Sequence, residues 1–287
     1  MHKLTVDDIL VEGKRVLTRV DFNVPLAAGK VADDNRIRAA LPTIRSILER
    51  GGRLVLMSHL GRPKGQHLPE LSLRPCALAL QDLLQQPVTF VDDCVGLAAE
   101  ASADVLNDGG VLLLENLRFH KEETENEAVF ASQLARLGDI YVNDAFGTAH
   151  RAHASTEGVT HHITQCAAGY LLMKEIDYLD RVIKDPPKPF VAVLGGAKIS
   201  GKIDVIAHLL KKVDHILIGG GMAYTFFKAM GYAIGTSLLE EDRIDMARDL
   251  LKKGGPKIIL PVDNMITDHI DVKGEAIGTL QTTSVEA

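Results

Sequence analysis

Short apolar runs alternate with amphipathic stretches along most of the chain, and this alternation restricts the fold more than any other feature. The runs at 15–20, 53–57, 88–91, 111–114 and 140–143 are mostly apolar and read as strands buried on both faces. Between them, 37–49, 74–84 and 127–137 carry helical spacing. Strands that alternate with helices form a parallel sheet covered on both sides. A longer amphipathic stretch, 169–184, is closed by Asp185-Pro186-Pro187, and two prolines stop a helix. The alternation then restarts with strands at 190–194, 215–218 and 257–260 and helices at 203–212, 223–230 and 242–252. The pattern predicts an α/β protein of two doubly wound parallel-sheet domains, 1–168 and 186–287, joined by a helix hinge over 169–185. The second has few strands for a doubly wound sheet. Its tail, 278–287, is polar without a closing helix. This domain is expected to be incomplete.

The length, 287 residues, suits two domains. A net charge of −6 argues against general nucleic-acid binding but leaves room for a local arginine cluster facing an acidic small molecule. Cys76, Cys94 and Cys166 are widely separated and odd in number, with neither metal spacing nor a disulfide framework, which fits a reducing compartment. The first 14 residues contain no apolar signal region, and no run is long enough to span a bilayer. The expectation is a soluble, cytoplasmic protein with no nucleic-acid or membrane partner.

The chemistry concentrates at strand exits. SHLGRPKG, 58–65, follows the second run and sets His59 and Arg62 around Gly61, at the end of a strand where open α/β sheets bind ligands. Arginine's planar fork suits phosphate or carboxylate. DFNVP, 21–25, puts Asp21 and Asn23 after the first run, and NRIRAALPTI, 35–44, brings Arg36 and Arg38 to a helix start. LLLENLRF, 112–119, leads into Glu115, Asn116 and Arg118. NDAFGTAHRAHAS, 143–155, supplies Asp144, His150, Arg151 and His153. Arg38 reads as a solvated charge, and the two histidines as structural residues, since nothing completes a metal spacing around them. Together these exits point to a cradle for a phosphorylated acid.

The second half opens with FVAVLGGAKISGKI, 190–203. Gly196 to Lys202 fits the G-x-x-x-x-G-K phosphate loop, but Ile203 stands where Ser or Thr should hold magnesium. Lys198 and Lys202 are expected on one face of a helix start, reaching a phosphate chain together. HILIGGGMAYTF, 215–226, fits a dinucleotide fingerprint poorly because Tyr224 occupies the third glycine position, yet Gly219, Gly220 and Gly221 allow a close approach by a base or ribose. An unrelated P-loop hydrolase would account for this half and leave the arginines of the first unexplained.

With DFNVP, SHLGRP, ENLRF, DAFGTAHRAHAS, GGAKISGK and GGGMA in this order, the chain resembles the phosphoglycerate kinases over nearly its whole length. The resemblance implies Rossmann-like domains and reversible phosphoryl transfer between 1,3-bisphosphoglycerate and ADP, giving 3-phosphoglycerate and ATP, with Mg²⁺ carried by the nucleotide and a hinge closing a monomer. It assigns Asp21, Asn23, Arg36, His59, Leu60, Gly61, Arg62, Arg118 and Arg151 to the phosphoglycerate. Gly196, Ala197, Lys198 and Lys202 go to the nucleotide phosphates, and Gly219, Gly220 and Gly221 to the adenosine. Arg36 and Lys202 act on the phosphoryl group in transit, and no protein-held metal is expected. The family's Asn-Gly-Pro segment, its Gly-Gly-Asp-Thr loop and its closing helix are absent from this sequence. A C-terminally truncated chain with impaired turnover, serving as a phosphoglycerate-binding fragment, is therefore a further expectation.

Overall fold

The computed structural model describes residues 3–267 and 280–285. The first part of the chain forms β1 (Arg15–Arg19), a small hairpin of β2 (Leu26–Ala27) and β3 (Lys30–Val31), α1 (Asn35–Glu49), β4 (Arg53–Met57), α2 (Arg74–Leu84), β5 (Val88–Val91) and α3 (Leu97–Asp104). It continues with β6 (Val111–Leu114), α4 (Lys121–Glu125), α5 (Ala128–Ala135), β7 (Ile140–Asn143), β8 (Cys166–Ala168) and α6 (Tyr170–Lys184). Six of these strands pair in parallel in the order β5-β6-β4-β1-β7-β8.

Alternate residues of each strand feed two separate cores, as parallel strands covered on both faces require. Val16, Leu54, Leu56, Val111 and Leu113 pack with Ile37, Ile44 and Ile47 of α1 and Leu80 of α2. Leu17, Val55, Met57, Leu112 and Leu114 pack instead with Ala99 and Ala103 of α3 and Phe130 and Leu134 of α5. The sheet is thus doubly wound, as the alternation predicts. The pattern had not shown α3 or β8. LAAEASAD in α3 has too weak an apolar stripe, and Cys-Ala-Ala in β8 lacks the branched residues that mark strands. The predicted helix over 127–137 is shorter, because the Glu127 carboxylate accepts from Val129 N and Phe130 N and caps α5 there.

The second part comprises β9 (Val191–Leu194), α7 (Ile203–Leu209), β10 (His215–Ile218), α8 (Met222–Ala229), α9 (Ile244–Gly254) and β11 (Ile258–Ile259), then β12 (Asp263–Thr267) and β13 (Leu280–Ser284). The parallel order is β11-β10-β9, and β12 pairs antiparallel with β13. One face of the parallel sheet buries Ile216 and Ile218 against Ile206, Phe226, Phe227 and Leu250. On the other face Val193 is 75% exposed, and Val191, Leu217 and Ile259 are exposed with it. Of the polar tail, Gly278, Thr279, Glu286 and Ala287 lie outside the described residues.

The chain divides into two compact units, Met1–Leu179 and Asp180–Ala287. Their division falls inside α6, which stops at Lys184, just before the two prolines.

Candidate functional site

Because every strand of the six-stranded sheet runs the same way, the segments that follow β1, β4, β6 and β7 emerge at one edge. The His-Leu-Gly-Arg turn is clamped there by side chains from two of the other exits. Asn116 accepts from Leu60 N at 3.2 Å and donates to Leu60 O at 2.8 Å. Asn23 accepts from Gly61 N at 2.9 Å, and Arg118 Nη1 donates to Gly61 O at 2.8 Å. Gly61 sits at φ +63°, and a Cβ there would lie 2.9 Å from Leu71 Cδ2, so a side chain would strain the turn and displace Leu71. Leu60 itself is buried in the core. Leu60 and Gly61 therefore have their backbone groups engaged in holding the turn, and Asn23 spends its carbonyl oxygen on it. Glu115 is structural too: it accepts from Ser72 Oγ, Leu73 N and Asn116 N.

Arg62, Arg118 and Arg151 come together around a cleft of about 460 Å³, with Lys64, Lys121 and His153. Glu125 is the one carboxylate among its lining residues. Burial depresses the Arg118 guanidinium, and the charges of Arg151, Arg19 and Arg62 add to the effect. Cations held this close repel one another, and an anion relieves them. Arg118 Nε is buried without a hydrogen-bond partner.

His59, which the sequence sets beside Arg62, carries no charge. It is buried, and its pKa is lowered to about 2 by burial and by Arg19, Arg118, Arg151 and Arg36. The ring is neutral, so its approach to Asp21 at 3.9 Å is no ion pair. Its Nδ1 accepts from Arg19 Nη2 at 3.1 Å, which leaves the ring proton on Nε2.

Arg19 is the residue that sequence reasoning passed over. It lies at the end of an apolar strand and is fully buried, with Nε donating to Ser155 Oγ at 2.9 Å. Ser155 Oγ donates in turn to buried Glu123 at 2.7 Å, and His153 Nδ1 lies 3.7 Å from the same carboxylate. The only signal was a lone Arg closing an apolar run.

Arg36 and Asp21 form a separate group. Arg36 Nη1 donates to Asp21 Oδ2 at 2.9 Å, and the arginine side chain is 52% exposed. They line a groove of about 360 Å³ with Asp144 and Gly147, between the exits of β1 and β7, where the sheet order reverses. Asp144 Oδ1 accepts from Leu171 N and Leu172 N at the start of α6. Arg38 pairs with Asp34 on the surface, as a solvated charge should.

In the second unit the glycine loops after β9 and β10 pack on each other. Gly219 N donates to Leu194 O and Met222 N to Gly196 O, both at 2.8 Å. A Cβ on Gly220, at φ +70°, would lie 2.9 Å from Gly196 N. Ala197 O borders Gly221, and Lys202 Nζ folds back to 2.9 Å from where a Gly196 Cβ would stand. Lys198 and Lys202 do not share a helix face. A single 3-10 turn, Ser200–Lys202, separates Lys198 from α7. Glu240, unremarked in the sequence, pins this turn by accepting from Ile199 N at 2.5 Å and Ser200 N at 3.2 Å.

The family model described as phosphoglycerate kinase matches residues 6–287. The phosphoglycerate kinase of Chloroherpeton thalassium is 56% identical over 274 residues, 94% of this chain and 69% of that protein. The one from Moorella thermoacetica is 58% identical over 272 residues, again 94% and 69%. Among solved structures, phosphoglycerate kinase from Coxiella burnetii superposes with a TM-score of 0.81 at 39% identity, covering 99% of this chain and 71% of the other. The Pyrococcus horikoshii enzyme gives 0.79 at 31% identity, with 98% and 71% covered. Sequence and fold agree, and the chain belongs to the phosphoglycerate kinase family.

Proposed function

We propose that the Arg62–Arg118–Arg151 cleft takes the phosphate of 3-phosphoglycerate or 1,3-bisphosphoglycerate. Asp21 and Asn23 reach its hydroxyl and carboxylate, and His59 supports the cleft from below as a neutral ring. Arg36, which spends Nη1 on Asp21, has the rest of its fork for the phosphoryl group in transit. Gly196, Ala197, Lys198 and Lys202 take the phosphates of ADP or ATP, and Gly219, Gly220 and Gly221 the adenosine. Residues 169–185 are the connecting helix between a phosphoglycerate domain and a nucleotide domain.

Phosphoryl transfer needs positioning and charge stabilisation more than a nucleophile, and these arginines and lysines supply both. Mg²⁺ arrives with the nucleotide. Near the Gly196–Lys202 loop, Glu240 Oε2 accepts from two backbone amides, and no step is assigned to a protein-held metal. Free Cys76, Cys94 and Cys166 support a reducing, cytoplasmic location. Among the described residues no helix is long and apolar enough to cross a membrane. We take the protein to act as a monomer.

The observation that carries this reading is the convergence of three arginines from three strand exits on one cleft. Calorimetric titration with 3-phosphoglycerate tests it. Arg62→Ala and Arg118→Ala should each weaken binding by about 2 kcal/mol, roughly 30-fold, while Arg38→Ala changes nothing. Wild-type affinity in both cleft variants would sink the assignment.

A further inference from the structure

Beside the basic cleft lies a second group of reactive side chains that phosphoryl transfer does not use. Asp93 and Cys94 follow β5, and His120 follows the turn that leaves β6. The parallel sheet brings these exits side by side. One donor atom from each of Asp93, Cys94 and His120 lies within 4.8 Å of the other two, the single such group among the described residues.

The three sit at different depths. The Cys94 side chain is buried in the core beneath α3 and α5, 1% exposed. Asp93 is 49% and His120 30% exposed, so the group opens to solvent on their side. His120 Nε2 meets Asp93 Oδ1 at 2.7 Å, and the same oxygen accepts from Cys94 N at 2.7 Å. His120 packs its ring 5.1 Å from that of Phe130.

We propose that Asp93, Cys94 and His120 form a binding site for a thiophilic divalent metal ion of the zinc class. One sulfur, one imidazole nitrogen and one carboxylate oxygen are the donor set that suits Zn²⁺, Co²⁺ or Cd²⁺, while Mg²⁺ and Ca²⁺ prefer oxygen alone. Three protein donors leave the fourth tetrahedral position to water. Donors bound to one zinc at about 2.0–2.3 Å stand farther apart than the 2.7 Å between His120 Nε2 and Asp93 Oδ1, so a metal enters by parting that pair. His120 Nε2 releases the proton it donates to Asp93 Oδ1, which opens that hydrogen bond, and the electron pair left on Nε2 goes to the metal while Nδ1 carries the remaining ring proton. The Cys94 S–H bond breaks, the sulfur keeps the electron pair as a thiolate on the metal, and the protons released go to solvent. Lys121, next in sequence to His120, lines the basic cleft, so the two sites share one loop.

Co²⁺ is the probe, titrated into the full 287-residue chain. The expected result is a near-ultraviolet thiolate-to-cobalt charge-transfer band that saturates at one equivalent and is bleached by Zn²⁺. Cys94→Ser should abolish the band, whereas Cys76→Ser and Cys166→Ser keep it. Since Cys94 is in the core, His120→Gln and Asp93→Asn serve as surface variants whose folding is checked by their melting curves. Each should weaken cobalt binding about 10-fold or more. No band in the wild-type chain would overturn the proposal, as would a band that survives Cys94→Ser or is unchanged in both surface variants.

Discussion

At the scale of single residues, the site is built on groups whose ionisation burial has altered. His59 is the sharpest case. Its unfolded imidazole titrates near pH 6.5, whereas in the fold protonation waits until about pH 2. Burial is the largest cause and the four arginines add to it. A group that binds protons less well when folded costs stability as pH falls below its unfolded value. His59 should therefore remove about 1 kcal/mol of folding stability between pH 6.5 and 5.5. Gln at this position keeps an acceptor for Arg19 without an imidazole to titrate. Urea denaturation of wild type and His59→Gln at several pH values measures the difference, and parallel pH profiles would contradict the assignment. Glu123 shifts the other way for a carboxyl: burial raises it, but His153, Arg19 and Ser155 outweigh burial and hold it below its usual range. Its contribution is thus present above about pH 4.5 and fades as pH drops further. The sequence marked His59 at its strand exit but not its burial, and it did not mark Glu123 at all. A buried Glu in KEETE resembles its solvated neighbours until α4 is folded against the strand exits.

At the scale of elements, α6 depends on a contact made across the sheet edge. Asp144 at the exit of β7 accepts from Leu171 N and Leu172 N, two of the first amides of the helix, in the manner of a cap supplied from a distant segment. Asp144 Oδ2 is buried without a partner, and burial raises this carboxyl above its usual range. The arrangement leaves no room at Gly169, where a Cβ would stand 2.2 Å from Asp144 Oδ1. Gly169→Ala should push the carboxylate off the helix start and destabilise the protein by about 1–3 kcal/mol. Thermal melting of that variant checks this. A loss below a few tenths of a kcal/mol would show that the cap is dispensable. The limits of α6 were readable from its apolar spacing and the two prolines, but its capping residue lies 26 positions before its first residue, 170 − 144, beyond the reach of local pattern.

At the scale of the whole molecule, two units carry separate cores: Leu17, Ile44 and Phe130 belong to one unit and Ile216, Phe226 and Leu250 to the other. A ligand held by Arg62, Arg118 and Arg151 stabilises only the unit that contains them, by about 2.7 kcal/mol at 100 times its dissociation constant. Calorimetry with saturating 3-phosphoglycerate should therefore shift one unfolding transition and leave the other in place, and an equal shift of both would refute independent units. The bare face of β9–β11, with Val193 75% exposed, shows how differently the two sheets are covered. What the chain determined by itself was what local pattern carries: the parallel strands other than β8, their order along the sequence, the glycine turns and the residue types at each exit. These follow from side-chain periodicity and backbone sterics, which act between near neighbours. Only the tertiary structure decided that Asn23, Asn116 and Arg118 would clamp one turn, that Arg19 and Glu123 would lie buried beneath the cleft, and that His59 would be neutral. It also decided that His120 would meet Asp93 and Cys94. These depend on distances and desolvation between segments that meet only when parallel strands bring their ends to one edge.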